Sequence, residues 1–232
     1  MRTSAQNWNR VLLWDRLAAE EKRTGHITPK SDWQHPGYWP VFCASLADVF
    51  DNEVPEVWRH DLWKLMLSTP NLSWLLVTKR IGNVAKMWPV MQENPPPNVR
   101  LLITVCNQEE ADRDIPKLLA LPCKNGISYE PALGPVAWQQ YLQGTLIPGV
   151  QWIIIGGESD PQARPFDLAW ARSTMAQCKA VGVRVFCKQL GSRAGSMLNA
   201  YGGTWEKFPT KDRAGADPSE WPSDLNVRQF PI

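Results

Sequence analysis

Residues 151–159 read QWIIIGGES, a near-continuous apolar run that passes straight into two glycines and a carboxylate. A run of large apolar residues without polar alternation marks a strand buried on both faces, as in a parallel sheet. Five further runs repeat the pattern: Val41–Ser45 (VFCAS), Trp74–Thr78 (WLLVT), Arg100–Thr104 (RLLIT), Gly126–Tyr129 (GISY) and Val183–Cys187 (VRVFC). In chain order the six runs start 33, 26, 26, 25 and 32 residues apart, which leaves room for a crossover helix after each. The intervening segments read as those helices. Pro55–Ser68 sets Val57, Trp58, Leu62, Leu65 and Met66 at helical spacing behind a proline suited to a first turn. Gln108–Leu121 and Leu168–Ala180 are also expected to be helical, the second ending at Val181-Gly182 with the glycine as cap.

Repeated βα units of this kind build either an open doubly wound sheet or a (β/α) barrel. No G-x-G-x-x-G follows the first run, so the dinucleotide-binding sheet loses its best sign. Polar or small residues follow every run: Leu46-Ala47-Asp48, Lys79-Arg80, Asn107-Gln108, Glu130-Pro131, Gly156-Gly157-Glu158-Ser159 and Lys188-Gln189. Functional side chains after each strand are expected where the C-terminal rim of a barrel forms the site. The expected fold is α/β, a partial (β/α) barrel of about six parallel strands over residues 41–190. Residues 1–40 supply one amphipathic helix, roughly Asn7–Arg23, and a polar loop rich in Trp, His and Pro. Residues 191–232, with Gly202-Gly203, Pro209, Pro218, Pro222 and Pro231, read as an irregular tail packed on the barrel, so one domain is expected overall.

The 232 residues carry 25 basic and 23 acidic side chains, a net charge of +2 that argues against a generic nucleic-acid coat. Neither a membrane-spanning run nor the apolar stretch of a signal peptide is present, so a cytoplasmic protein is expected. Cysteines 43, 106, 123, 178 and 187 are scattered, with no C-x-x-C pair, and are expected to be free and mostly buried. No histidine pair has metal-ligand spacing, so no metal site is assigned. Thirteen tryptophans suit aromatic packing, or stacking platforms for a base.

On such a rim Lys79, Arg80, Arg164 and Lys188 supply positive charge, Glu130 and Glu158 supply carboxylates, and Asn107, Gln108 and Gln189 supply neutral hydrogen-bonding groups. That set suits an anionic or zwitterionic small molecule held by charge-assisted bonds. Gly156 and Gly157 allow close approach and an anion-binding nest. A tight turn, ion pairs without ligand, or solvated residues opening the next helix account for the same letters. Asp48 and Glu130 are the acid–base candidates, by analogy with barrels alone.

Taken in order, VFCASLADVFDNEVP (41–55), LLVTKR (75–80), VCNQ (105–108), SYEPALGPV (128–136), IIGGESDPQARP (154–165) and FCKQLG (186–191) closely resemble the phage and prophage gene-product-37/68 family. RTSAQNW near the start and EWPSDLNVRQFP near the end extend the resemblance over essentially the whole chain. Members of that family look like radical S-adenosylmethionine proteins of unassigned reaction. The resemblance therefore implies a radical-SAM-like partial barrel, acting in the cytoplasm of a bacterial host. It carries Ser45, Asp48, Thr78, Lys79, Arg80, Asn107, Glu130, Pro131, Gly156, Gly157, Glu158, Ser159, Arg164, Pro165, Lys188 and Gln189 over as site candidates. Of these, Arg164, Glu158 and Lys188 would anchor a cosubstrate or anionic substrate.

Two positions depart from the family: Cys106 stands where it usually has a glutamate, and Tyr129 where it has a cysteine. The family's three-cysteine motif, ahead of the region seen here, has no counterpart among the five cysteines, so the first strand and cluster loop are expected to be missing. A 4Fe–4S cluster needs thiolate ligands, and reductive cleavage of S-adenosylmethionine needs its electron. Both cofactors are thus expected only if that motif is supplied from elsewhere, and this chain is expected to be inactive alone. A truncated reading frame, a motif on another chain, and a variant reused without catalysis stay open. The alternative function is a non-catalytic module that binds a host protein or, less in keeping with the charge, nucleic acid. A membrane partner is not expected.

Overall fold

In the computed structural model, which describes residues 4–27, 37–43, 47–142, 149–197 and 204–231, all six apolar runs become strands of one sheet. The chain runs α1 (Ala5–Thr24), β1 (Trp39–Cys43), α2 (Glu56–Ser68), β2 (Leu72–Thr78), α3 (Ile81–Met87), α4 (Val90–Glu93), β3 (Val99–Thr104) and α5 (Gln108–Leu119). It continues through β4 (Lys124–Tyr129), α6 (Gln139–Leu142), β5 (Trp152–Gly156), β6 (Phe166–Asp167), α7 (Leu168–Val181), β7 (Arg184–Gln189), β8 (Ala194–Met197) and β9 (Trp205–Lys207). The large sheet has the order β1-β2-β3-β4-β5-β7 and is parallel throughout. Each strand neighbours the next long strand in sequence. A doubly wound sheet would reverse direction at a switch point, whereas unbroken succession is the topology of a partial (β/α) barrel. The α/β class and the partial-barrel reading therefore hold.

The chain divides into two compact units. The first comprises residues 1–102 with 121–124 and 232. Here β1 pairs with β2 in parallel register, Val41 opposite Trp74. α1 begins behind Ser4, whose hydroxyl accepts from Asn7 N, and ends at Gly25, whose φ of 71° only glycine adopts readily. It is fastened by Glu21, a buried carboxylate that accepts from Gly37 N at 3.0 Å and Trp39 Nε1 at 2.7 Å. Phe50, Trp63 and Trp88 meet edge to face, with centroids 5.5 Å apart for Phe50–Trp88 and 5.2 Å for Trp63–Trp88. Leu72, Leu76, Met66, Val84 and Met91 fill the core around them.

The second unit comprises residues 103–120 and 125–231. Ile127 lies opposite Ile153, and Ile153 opposite Val185, until a register shift at Ile155/Gly156 sets Gly156 opposite Gln189. Trp138 and Trp152 are fully buried. Their indole N–H groups donate to Thr174 Oγ1 at 2.9 Å and Gln229 O at 2.8 Å. The tail is more ordered than its letters suggest. β8 and β9 form an antiparallel pair, and β8 also pairs in parallel with β6, making a second, three-stranded sheet. Residues 226–230 then lie along β7: Cys187 N donates to Val227 O at 2.8 Å and Gln229 N to Val185 O at 2.9 Å. The Arg228 guanidinium sits 4.9 Å above the Phe186 ring and 5.8 Å from that of Trp221.

All five cysteines are free, four of them buried. Burial pushes the Cys178 and Cys187 thiols up to about 12 and that of Cys123 to about 11. Trp39, Trp74, Trp88, Trp138, Trp152 and Trp221 belong to the core, which is the packing use of tryptophan. No described helix is long and apolar enough to cross a membrane.

Candidate functional site

The C-terminal ends of β5 and β7 and the loops after β4 and β5 bring seven of the sequence-derived residues together in the second unit. β5 ends in Gly156, and a Cβ there would lie 3.2 Å from Gln189 O and 3.5 Å from Glu130 Cδ. One on Gly157 would lie 2.4 Å from Leu190 O, so the second position admits only glycine. The two residues let the β5 exit press against the β7 exit. Gly157 N donates to Gln189 O at 3.2 Å, and Gln189 Nε2 returns a bond to Gly157 O at 2.8 Å. The Gly157 N–H is thereby engaged, and the glycines act through close approach, not as an open nest.

An ion pair stands on each side of these glycines. Lys188 Nζ donates to both oxygens of Glu130, at 2.9 and 3.0 Å, and the Glu130 side chain is 16% exposed. Glu158, 18% exposed, accepts from Arg164 N at 2.7 Å and from Arg164 Nε at 3.1 Å on each oxygen, while Arg164 Nη2 closes the fork. Hydrogen bonding to Glu158 holds the guanidinium above its ordinary range. The Glu158 carbonyl accepts from Ser192 N at 2.7 Å, which fixes the loop to the turn before β8. Ser159 beside it is exposed. Each cation is already matched by a carboxylate. A simple anion must displace a glutamate, whereas a zwitterion can exchange partners with a whole pair and leave no charge unmatched.

Asn107, in the same unit, caps α5: its Oδ1 accepts from Glu110 N at 3.0 Å, and Glu110 Oε2 reaches back to Cys106 N at 2.8 Å. Cys106 is buried, and its carbonyl accepts from Leu133 N at 2.8 Å. Tyr129 is fully buried against Trp138, ring centroids 5.2 Å apart, and its hydroxyl donates to Gly134 O. Tyr129, where the family that the sequence resembles has a cysteine, is thus a core side chain.

Asp48, Thr78, Lys79 and Arg80 belong to the first unit. Asp48, 11% exposed, accepts from Thr78 Oγ1 at 2.8 and 3.0 Å, from Phe50 N at 2.9 Å and from Lys79 N at 2.9 Å. Arg80 reaches it at 3.5 Å and Asp51 at 2.6 Å. Thr78 Oγ1 in turn accepts from Arg80 N at 2.8 Å. This carboxylate ties the loop after β1 to the end of β2. The Lys79 side chain is exposed. Ser45 lies outside the described residues. Among the described residues no group of three or more His, Cys, Asp and Glu is placed to hold a metal ion.

Sequence reasoning passed over two groups. Glu110 completes the α5 cap, and its position three residues after Asn107 is the letter pattern that signals it. Arg59 is buried on α2, where periodicity had set Val57 inward, and no local signal marks it.

Compared with known families, the chain matches over residues 2–214 the one described as Protein of unknown function (DUF5131). No curated protein and no solved structure matches it.

Proposed function

We propose that this chain, which belongs to the DUF5131 family of proteins of unknown function, is a phage-type, radical-SAM-like (β/α) barrel protein. In this reading it binds a zwitterionic or anionic small molecule at the C-terminal ends of β4, β5 and β7, and does not carry out radical chemistry by itself. One observation carries the reading: the Glu130–Lys188 and Glu158–Arg164 pairs on either side of Gly156-Gly157. The ordered motifs shared with the gene-product-37/68 family support the phage and radical-SAM part of it.

S-adenosylmethionine, with ammonium and carboxylate on one carbon, fits such a set. Glu130 or Glu158 would face its ammonium, and Lys188 or Arg164 its carboxylate. Glu130, in contact with Lys188, is the acid–base group we assign; Asp48, with its oxygens already engaged, holds the β2 exit in place. When reduced by a cluster, S-adenosylmethionine supplies radicals. The thiols here do not suit a cluster: those at 123, 178 and 187 are buried and held protonated, and no metal-holding group exists among the described residues. No step is assigned to one.

Calorimetric titration of the full chain with S-adenosylmethionine tests this. Binding is expected, weakened about tenfold by Glu158→Gln and by Lys188→Met, the loss of one charge-assisted contact each. Absence of binding overturns the site. Formation of 5′-deoxyadenosine by this chain alone, after anaerobic incubation with iron, sulfide and reductant, overturns the inactivity.

A further inference from the structure

The start of α2 holds a charge that the site above does not use. Arg59 is 8% exposed, and among the described residues its one hydrogen bond runs from Nη1 to Val54 O at 2.7 Å. Its Nε is buried without a partner. The described acids of the preceding loop and of the first helical position are engaged or exposed: Asp48 and Asp51 hold Arg80, at 3.5 and 2.6 Å, and Glu53 and Glu56 are exposed. Among the described residues no carboxylate forms an ion pair with Arg59; a buried guanidinium in that state is unfavourable, and an anion removes the penalty.

The same turn offers a second attraction. α2 begins behind Pro55, which has no side chain to cap the helix. The bond from Arg59 to Val54 O places the guanidinium beside this N-terminus, which has no side-chain cap and whose Trp58 N donates to Pro55 O at 3.0 Å, and where the helix dipole is positive. Together they point to a further binding site, in the first unit and independent of the glutamate–cation pairs. It takes a small oxyanion, phosphate or carboxylate, at the Arg59 guanidinium beside the start of α2. Glu53 and Glu56 oppose it, and neutralising Glu56 tightens it.

The unfolding temperature of the full chain, followed against inorganic phosphate and separately against acetate, with sodium chloride holding ionic strength constant, tests the site. A ligand that binds only the folded state raises that temperature with concentration. A rise with phosphate alone assigns the site to phosphates; a rise with both assigns it to oxyanions generally. Arg59→Met is expected to be at least as stable as the parent without ligand and to lose the rise. Glu56→Gln, on the surface, is expected to show the rise at about threefold lower phosphate, the size of a first-turn charge effect. The site is overturned if neither anion acts beyond sodium chloride, or if Arg59→Met responds like the parent. Should Arg59→Met not fold, an unchanged midpoint in Glu56→Gln overturns it.

Discussion

Asp48 is the residue at which a catalytic and an architectural role separate by measurement. It accepts from two backbone amides and from the Thr78 hydroxyl, which is buried. Asp48→Ala is therefore expected to lower the unfolding free energy by about 2–3 kcal/mol, the scale of hydrogen bonds to a charged acceptor, as read by urea denaturation. A variant of unchanged stability would return Asp48 to the candidates for chemistry. The buried thiols make a second prediction. With Cys178 and Cys187 pushed up to about 12 by burial, neither is expected to react with a thiol reagent at pH 8 until the protein unfolds. Rapid labelling of the native chain at these positions, read by peptide mass analysis, would contradict that environment.

Helix α5 shows how one element couples capping, charge and pH. Asn107→Ala removes its N-cap and is expected to cost about 1 kcal/mol by denaturant melts. Loss of ligand binding with unchanged stability would instead make Asn107 a ligand contact. Inside the helix, burial raises Asp114, but hydrogen bonds from Arg113 and Lys117 outweigh it and hold the carboxyl below its ordinary range. Because the folded value is depressed, this stabilisation is complete above the ordinary carboxylate range and is lost as pH falls through the folded value. Asp114→Asn is expected to cost about 1 kcal/mol at neutral pH, its basic partners being half exposed, and to flatten the acid limb of the stability profile. A parallel acid limb in parent and variant would refute this. The strands of the large sheet were legible in the letters because parallel strands buried on both faces are unbroken apolar runs. The pair β8–β9 was not: Ala194–Met197 and Trp205–Lys207 are short and lack a regular alternation, and only their pairing makes them strands.

Across the molecule, the open question of a parallel sheet is its edges. On β7 the edge is covered by residues 226–230, with Arg228 stacked on Phe186 and the Trp152 indole bonded to Gln229 O. Truncation after Leu225 is expected to expose that edge and cause concentration-dependent association in size-exclusion chromatography, with lower stability. A monodisperse truncated chain of parental stability would show that the segment is ornamental. The sequence by itself determined the six strands along the chain, three of the helices between them and the positions following each strand, because burial and helical periodicity leave their marks in local runs of letters. Only the tertiary structure decided which charges meet. Glu130 and Lys188 are 58 residues apart and pair at 2.9 Å, while Arg59, on a helix whose letters placed Val57 inward, is buried and Val57 is 59% exposed. Spacing along a chain says which residues share an element. Which face of the element is covered, and which distant partner reaches it, depends on packing that no local pattern encodes.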